Sequence, residues 1–97
     1  MDELSVVAVL VAKDGHEEVV RAALHALVIP TREEEGCLAY ELFESGSAPG
    51  TFVTQERWRA QADLDAHLET AHVQQAFIAA GDALATAPGI HPLVAVG

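Results

Sequence analysis

Hydrophobic and polar residues follow a strand-like pattern in four stretches of the chain. Residues 4–12 are almost all apolar and rich in valine, which is typical of a strand covered on both faces. In Cys37–Glu44 and Thr51–Trp58 alternate side chains share a face, and the glycine- and serine-rich loop 45–50 predicts a hairpin between them. Residues 90–96 predict a final strand, in which a proline suits an edge position.

The first helical pattern follows the first strand. A buried stripe begins at Val20, with apolar residues four, seven and eight positions further on. Asp14 followed by Glu17 predicts a capping box at the start of this helix. Pro30 is expected to kink or end it, although the following residues can resume as a helical turn. The three glutamates at 33–35 are expected to form a solvated face.

Two shorter helices are predicted after the third strand. Leu64 and Leu68 are four residues apart, as on one helical face. A break follows at Thr70, which is expected to cap the second helix. This helix is predicted to run through Leu84, before the breaking sequence at 87–89.

The element order is therefore β-α-β-β-α-β, which is typical of an α+β, ferredoxin-like fold with a four-stranded antiparallel sheet. Residues 1–97 are expected to form one domain. The helices cover one face of such a sheet, and the other face would here be apolar. The sequence therefore predicts a homodimer that packs sheet against sheet.

Composition narrows the range of partners. Five Lys and Arg against fifteen Asp and Glu give a formal charge of −10, which repels phosphate backbones and anionic membranes, so no nucleic acid is expected. The chain has no apolar run of eighteen residues and no basic leader, so a cytoplasmic protein without membrane contact is expected. The lone Cys37 excludes an internal disulfide. Motifs for nucleotide binding and common hydrolase chemistry are absent from the sequence.

The candidate site lies where the third strand meets the two short helices. His67 and His72 are five residues apart, about 140° on a continuous helix, and no further ligand is suitably spaced, so no metal is predicted. One histidine can serve as a general base, because imidazole titrates near neutral pH. The alternative is that both histidines only cap or hydrogen-bond across the break between the helices.

Aromatic and acidic residues complete this candidate site. Trp58 is expected to form a flat wall for an aromatic substrate, with core packing as the alternative. Glu56 shares its strand face and could orient a histidine or form a cross-strand salt bridge with an arginine. The further predicted substrate-binding residues are apolar lining or, equally, core: Tyr40, Phe52 and Phe77.

Three segments in order carry a resemblance to a known family. They are REEEGCLAYEL at 32–42, ERW at 56–58 and LDAHLETAHVQQAF at 64–77. With them the chain resembles the antibiotic biosynthesis monooxygenase family, dimeric α+β barrel proteins that include quinol monooxygenases and anthrone oxygenases. The resemblance implies that Trp58, His67 and His72 line a cavity between sheet and helices. Haem-degrading relatives use an asparagine near the first strand; this chain has none, which argues against haem oxygenation.

The resemblance implies a cofactor-independent monooxygenase that oxidises an electron-rich phenol, quinol or anthrone with dioxygen to a quinone. Neither flavin nor metal is implied. An isomerase acting on a small carbonyl compound could use the same base and cavity. A non-catalytic dimer that binds a hydrophobic ligand or another protein is the third reading, and the residues alone do not separate the three.

Overall fold

The predicted strands form one antiparallel sheet in the computed structural model, which describes residues 3–97. The order across the sheet is β2-β3-β1-β4, and the fold is the expected ferredoxin-like one. The strands are β1 (Leu4–Val11), β2 (Cys37–Glu44), β3 (Thr51–Trp58) and β4 (Gly89–Pro92). The helices are α1 (Glu17–His25), α2 (Val28–Arg32), α3 (Gln61–Leu68) and α4 (Ala71–Ala80), and a 3-10 turn follows at Gly81–Ala83.

The predicted capping box at the start of α1 was wrong. The helix begins at Glu17 after His16, and Asp14 does not cap it. Gly15 has a φ of +85°, in the left-handed region, so the residue after Asp14 cannot be the first of a right-handed helix. Residues 13–16 instead form a tight turn, closed by a hydrogen bond from the His16 N–H to the Lys13 carbonyl.

Pro30 does not end the first helix. α1 already ends at His25, and Pro30 lies in the first turn of the separate helix α2. The first four N–H groups of a helix have no partner within it, so a missing N–H there costs no hydrogen bond.

The last third of the chain contains less regular structure than predicted. α4 ends at Ala80 rather than at Leu84, which instead forms an isolated bridge with Ala12. β4 ends at Pro92 rather than at Val96 and is an edge strand, as the proline predicted. One further bond, from the Leu93 N–H to the Ser5 carbonyl, follows it, and residues 93–97 are exposed.

The two faces of the sheet differ. Even-numbered side chains of β1 and β3 face the helices and, apart from the half-buried Leu4, are buried, whereas their odd-numbered neighbours are half-buried or exposed. Val20 and Leu24 of α1 complete this core, which confirms the predicted stripe. Thr54 and Glu56 lie on the same buried face, so the sheet carries polar groups into the core. Among residues 3–97, no helix combines the length and apolarity that crossing a bilayer requires.

Candidate active site

A cavity lies between the sheet and the helix layer. It has about 50 Å³ of free space, more than the roughly 10–15 Å³ that one water centre needs. Aliphatic side chains from β1, α1, α3 and α4 form most of its wall. Its polar lining residues are Tyr40, Thr54, Glu56 and His67. The cavity is therefore apolar with a few polar groups, which is the usual composition of a small-molecule site.

His67 is held by a carboxylate that the sequence reasoning did not select. Glu34 Oε2 accepts hydrogen bonds of 2.7 Å from His67 Nδ1 and from His72 Nε2. The three side chains are 15%, 6% and 25% exposed, in the order Glu34, His67 and His72. Because an ionised carboxylate only accepts, both nitrogens act as donors to it. The other ring nitrogen of His67, Nε2, has no hydrogen-bond partner among residues 3–97.

The break between α3 and α4 brings the two histidines together. Thr70 caps α4, since its hydroxyl accepts from the Val73 N–H at 3.3 Å and donates to the His67 carbonyl at 2.8 Å. This confirms the predicted cap. The chain turns there, and the ring centroids of His67 and His72 are 6.1 Å apart. The 140° separation of a continuous helix does not apply, and neither histidine caps a helix.

Glu34 is half-buried because its turn packs closely against α3. Glu33 and Glu35 are exposed as predicted, but the prediction of a solvated side chain was wrong for Glu34. A Cβ on Gly36 would overlap the Asp63 side chain, so only glycine lets the turn approach this closely. That glycine was the available sequence signal for the close approach.

Trp58 packs against the ring of His67 and does not line the cavity. The indole is fully buried, and its ring centroid is 4.8 Å from that of His67. Its Nε1–H donates to Glu56 Oε1 at 2.8 Å. This position does not match the expected wall for substrate stacking. It matches the alternative, core packing, in which the indole supports the His67 ring.

Glu56 has neither of its two predicted roles. It contacts neither a histidine nor an arginine by hydrogen bond or ion pair in the described part of the chain. Its oxygens accept from the Trp58 indole and from the Thr54 hydroxyl, which in turn accepts from the Ala8 N–H at 3.1 Å. Glu56 is thus a buried carboxylate on the cavity wall, fixed by two neutral donors.

The other predicted residues divide into two groups. Tyr40 and Phe77 line the cavity, and Phe77, 40% exposed, lies at the surface end of it. Phe52 is fully buried in the core and does not reach the cavity, and His72 lies beside the cavity rather than on its wall.

Burial and neighbouring carboxylates act on two protonated groups near the site. Burial, and then the Glu56 carboxylate, raise the pKa of Tyr40, so its hydroxyl stays protonated at neutral pH. Burial, and then Glu34, also raise the pKa of the Cys37 thiol. The cavity therefore offers a hydroxyl donor, a carboxylate, and an imidazole whose Nδ1–H is fixed by Glu34.

The sequence and the fold match the antibiotic biosynthesis monooxygenase family. The family described by that name matches residues 4–78, and the chain belongs to it. The Bacillus subtilis (strain 168) protein YcnE, whose name assigns it provisionally to the monooxygenases, is 41% identical over 78 residues, 80% of each chain. The structure of PA3566 from Pseudomonas aeruginosa superimposes with a TM-score of 0.89 at 33% identity, over 100% of this chain and 97% of that one. The structure of Rv0793 from Mycobacterium tuberculosis superimposes with a TM-score of 0.88 at 29% identity, over 99% of this chain and 97% of that one.

Proposed function

We propose that the protein is a cytoplasmic monooxygenase that oxidises an electron-rich phenol, quinol or anthrone with dioxygen to a quinone, without a bound cofactor. Family membership and the provisional monooxygenase name of YcnE support the reaction class. The observation that carries the proposal is the state of His67. Its Nδ1 is held by Glu34, while its ring lies on the wall of an apolar cavity.

The chemistry starts with removal of the phenolic proton by His67 Nε2. The phenolate gives one electron to dioxygen, and the phenoxyl radical and superoxide then join through a new bond from ring carbon to oxygen. The peroxide takes the proton back from His67. Breaking the O–O bond and the C–H bond at that carbon releases water and leaves the second carbonyl. Phenol and dioxygen thus become quinone and water, with one oxygen atom in each product.

Glu34 acts as a positioning residue in this scheme. By accepting from Nδ1, the carboxylate selects the tautomer whose lone pair is on Nε2, and it stabilises the imidazolium that forms. A positioned base contributes about 10²–10⁴ in rate. The protonated Tyr40 hydroxyl, also on the cavity wall, can donate a hydrogen bond to the developing phenolate or superoxide.

The volume of the cavity favours small substrates. The free space of about 50 Å³ is below that of most ligand pockets, so a single-ring phenol fits better than a tricyclic anthrone. A larger ring system requires Phe77, at the surface end, to move outwards.

Oxygen uptake tests the proposal. Menadiol and a panel of phenols would be supplied in chelator-treated buffer, with ¹⁸O₂ to trace incorporation into the product. We expect uptake faster than the enzyme-free rate, one labelled oxygen atom per quinone, and a loss of about 10²-fold or more in His67→Gln. His25→Gln, at an exposed position, is the matched control. Uptake equal to the enzyme-free rate across the panel would remove the proposal.

An isomerase remains the second candidate because of one observation. Glu56 and His67 both line the cavity, so a carboxylate and an imidazole are available to move protons on a small carbonyl compound. Turnover without oxygen, lost in Glu56→Gln, would identify this activity. Absence of both activities would favour the non-catalytic ligand-binding dimer.

A homodimer through the open sheet face belongs to the proposal. No described helix covers that face, on which Phe43 of β2 pairs across the sheet with Val53 and is 48% exposed. In the adjoining C-terminal segment, Val94 and Val96 are 86% and 101% exposed. A second copy would remove this apolar surface from water. Sedimentation should give twice the monomer mass, reduced in Phe43→Glu but not in the helix-surface control Ile78→Glu.

A further inference from the structure

We propose that Glu34, His67 and His72 form a binding site for a divalent transition-metal cation, beside the cavity rather than inside it. One carboxylate oxygen and two imidazole nitrogens all lie within 4.8 Å of one another. Two imidazoles and a carboxylate suit zinc and its first-row neighbours, and three protein ligands leave a position open for water. The proposal is independent of the proposed oxygenase reaction.

The sequence predicts no metal site because no third ligand is suitably spaced from the two histidines. Glu34 supplies it from a turn 33 residues before His67 and 38 before His72. The spacing between the two histidines also ceases to matter, because the chain turns at Thr70 and the two rings converge on the same carboxylate oxygen.

The geometry needs moves of no more than a side-chain adjustment, up to about 1.5 Å between any two ligand atoms. Tetrahedral zinc with bonds of about 2.0–2.1 Å places neighbouring ligand atoms about 3.3 Å apart. The two nitrogens are each 2.7 Å from Glu34 Oε2, so each nitrogen–oxygen pair would open by about 0.6 Å. The two nitrogens lie within 4.8 Å of each other, and this pair would close by up to about 1.5 Å. The cation would take the place of the two hydrogens that now lie between the nitrogens and the oxygen.

The surroundings favour a cation and give it access. The chain carries a formal charge of −10, and Glu33 and Glu35 flank the ligand Glu34. The His72 side chain is 25% exposed, which opens the cluster to solvent. His67 is supported by the packed indole of Trp58, so one of the three ligands is held rigidly.

The position of the site predicts its effect on the reaction. Neither Glu34 nor His72 lines the cavity, so the cation would lie on the Nδ1 side of His67. A metal at Nδ1 leaves the proton of the neutral ring on Nε2 and removes the lone pair that faces the substrate. This consequence, inhibition by the bound metal, rests on the proposed function; the site itself does not.

Metal titration tests the site directly. Chelator-treated protein would be titrated with Zn²⁺ by calorimetry and with Co²⁺ by visible absorption, which reports nitrogen and oxygen coordination. We expect one ion per chain, with affinity at least about 10-fold lower in Glu34→Gln and in His72→Gln. His25→Gln should bind as the unchanged protein does. Circular dichroism would confirm folding, and His72→Gln serves if Glu34→Gln does not fold.

Two results would overturn the site: no saturable binding by the unchanged protein, or equal affinity in His72→Gln and His25→Gln. The effect on activity is read separately. Binding with no change in oxygen uptake would retain the site and reject His67 as the base whose lone pair it removes. Oxygen uptake at the enzyme-free rate would reject the proposed function and leave the binding result unaffected.

Discussion

Replacing Glu34 by glutamine tests whether one carboxylate holds the two histidines. The substitution keeps the shape of the side chain but removes its charge, and a neutral amide oxygen can still accept from His67 and His72. Hydrogen bonds to charged groups contribute about 1.5–3 kcal/mol each, against about 1 kcal/mol for neutral ones. With two bonds of 2.7 Å in a largely buried cluster, we expect the free energy of unfolding to fall by about 1–3 kcal/mol.

Urea unfolding measures this loss. Trp58 is the only tryptophan and packs against His67, so its fluorescence reports on the cluster itself. For a domain of this size the slope of the free energy against urea is about 1.5 kcal/mol/M, so the midpoint should fall by about 0.7–2 M.

The matched control is Glu33→Gln, which removes the same charge from an exposed neighbour and should change stability by less than about 0.5 kcal/mol. The effect of Glu34→Gln should also be smaller in a His72→Gln background, because the two residues share one bond. Equal midpoints for Glu34→Gln and Glu33→Gln would show that the carboxylate does not hold the histidines in solution, and the positioning argument would fail with it.

Three further substitutions or reactions give distinct outcomes. Gly36→Ala should lower the unfolding free energy by about 1–3 kcal/mol, because its methyl group overlaps Asp63; calorimetric melting showing no loss would contradict the close approach. Thr31→Val should be neutral or stabilising in urea unfolding, since the buried Thr31 hydroxyl has no partner among the described residues. Cys37, whose pKa is raised by burial, has less thiolate at a given pH, so iodoacetamide should alkylate it more slowly at pH 8 than in urea-unfolded protein, and equal rates would oppose this.

The strands and the buried face of β3 were predictable from sequence because they depend on local periodicity. Alternation in Thr51–Trp58 grouped alternate side chains on one face, and the structure buries the four even-numbered ones. The cap at Thr70 followed from local side-chain chemistry in the same way. Gly15 shows the limit of this reasoning: the capping pattern was present, but the backbone conformation of one glycine moved the start of the helix.

The amino-acid sequence by itself determined the order of the elements, the face that each buries and the two histidines of the site. The tertiary structure decided which groups touch those histidines. Glu34 carries the same charge as Glu33 and Glu35, and only the packing of its turn against α3 removes it from water. Trp58 and Glu56 share a strand face as predicted, but Glu56 takes neither of its expected roles and Trp58 takes the alternative one, core packing. Periodicity records burial within an element, whereas contacts between distant elements depend on how those elements pack.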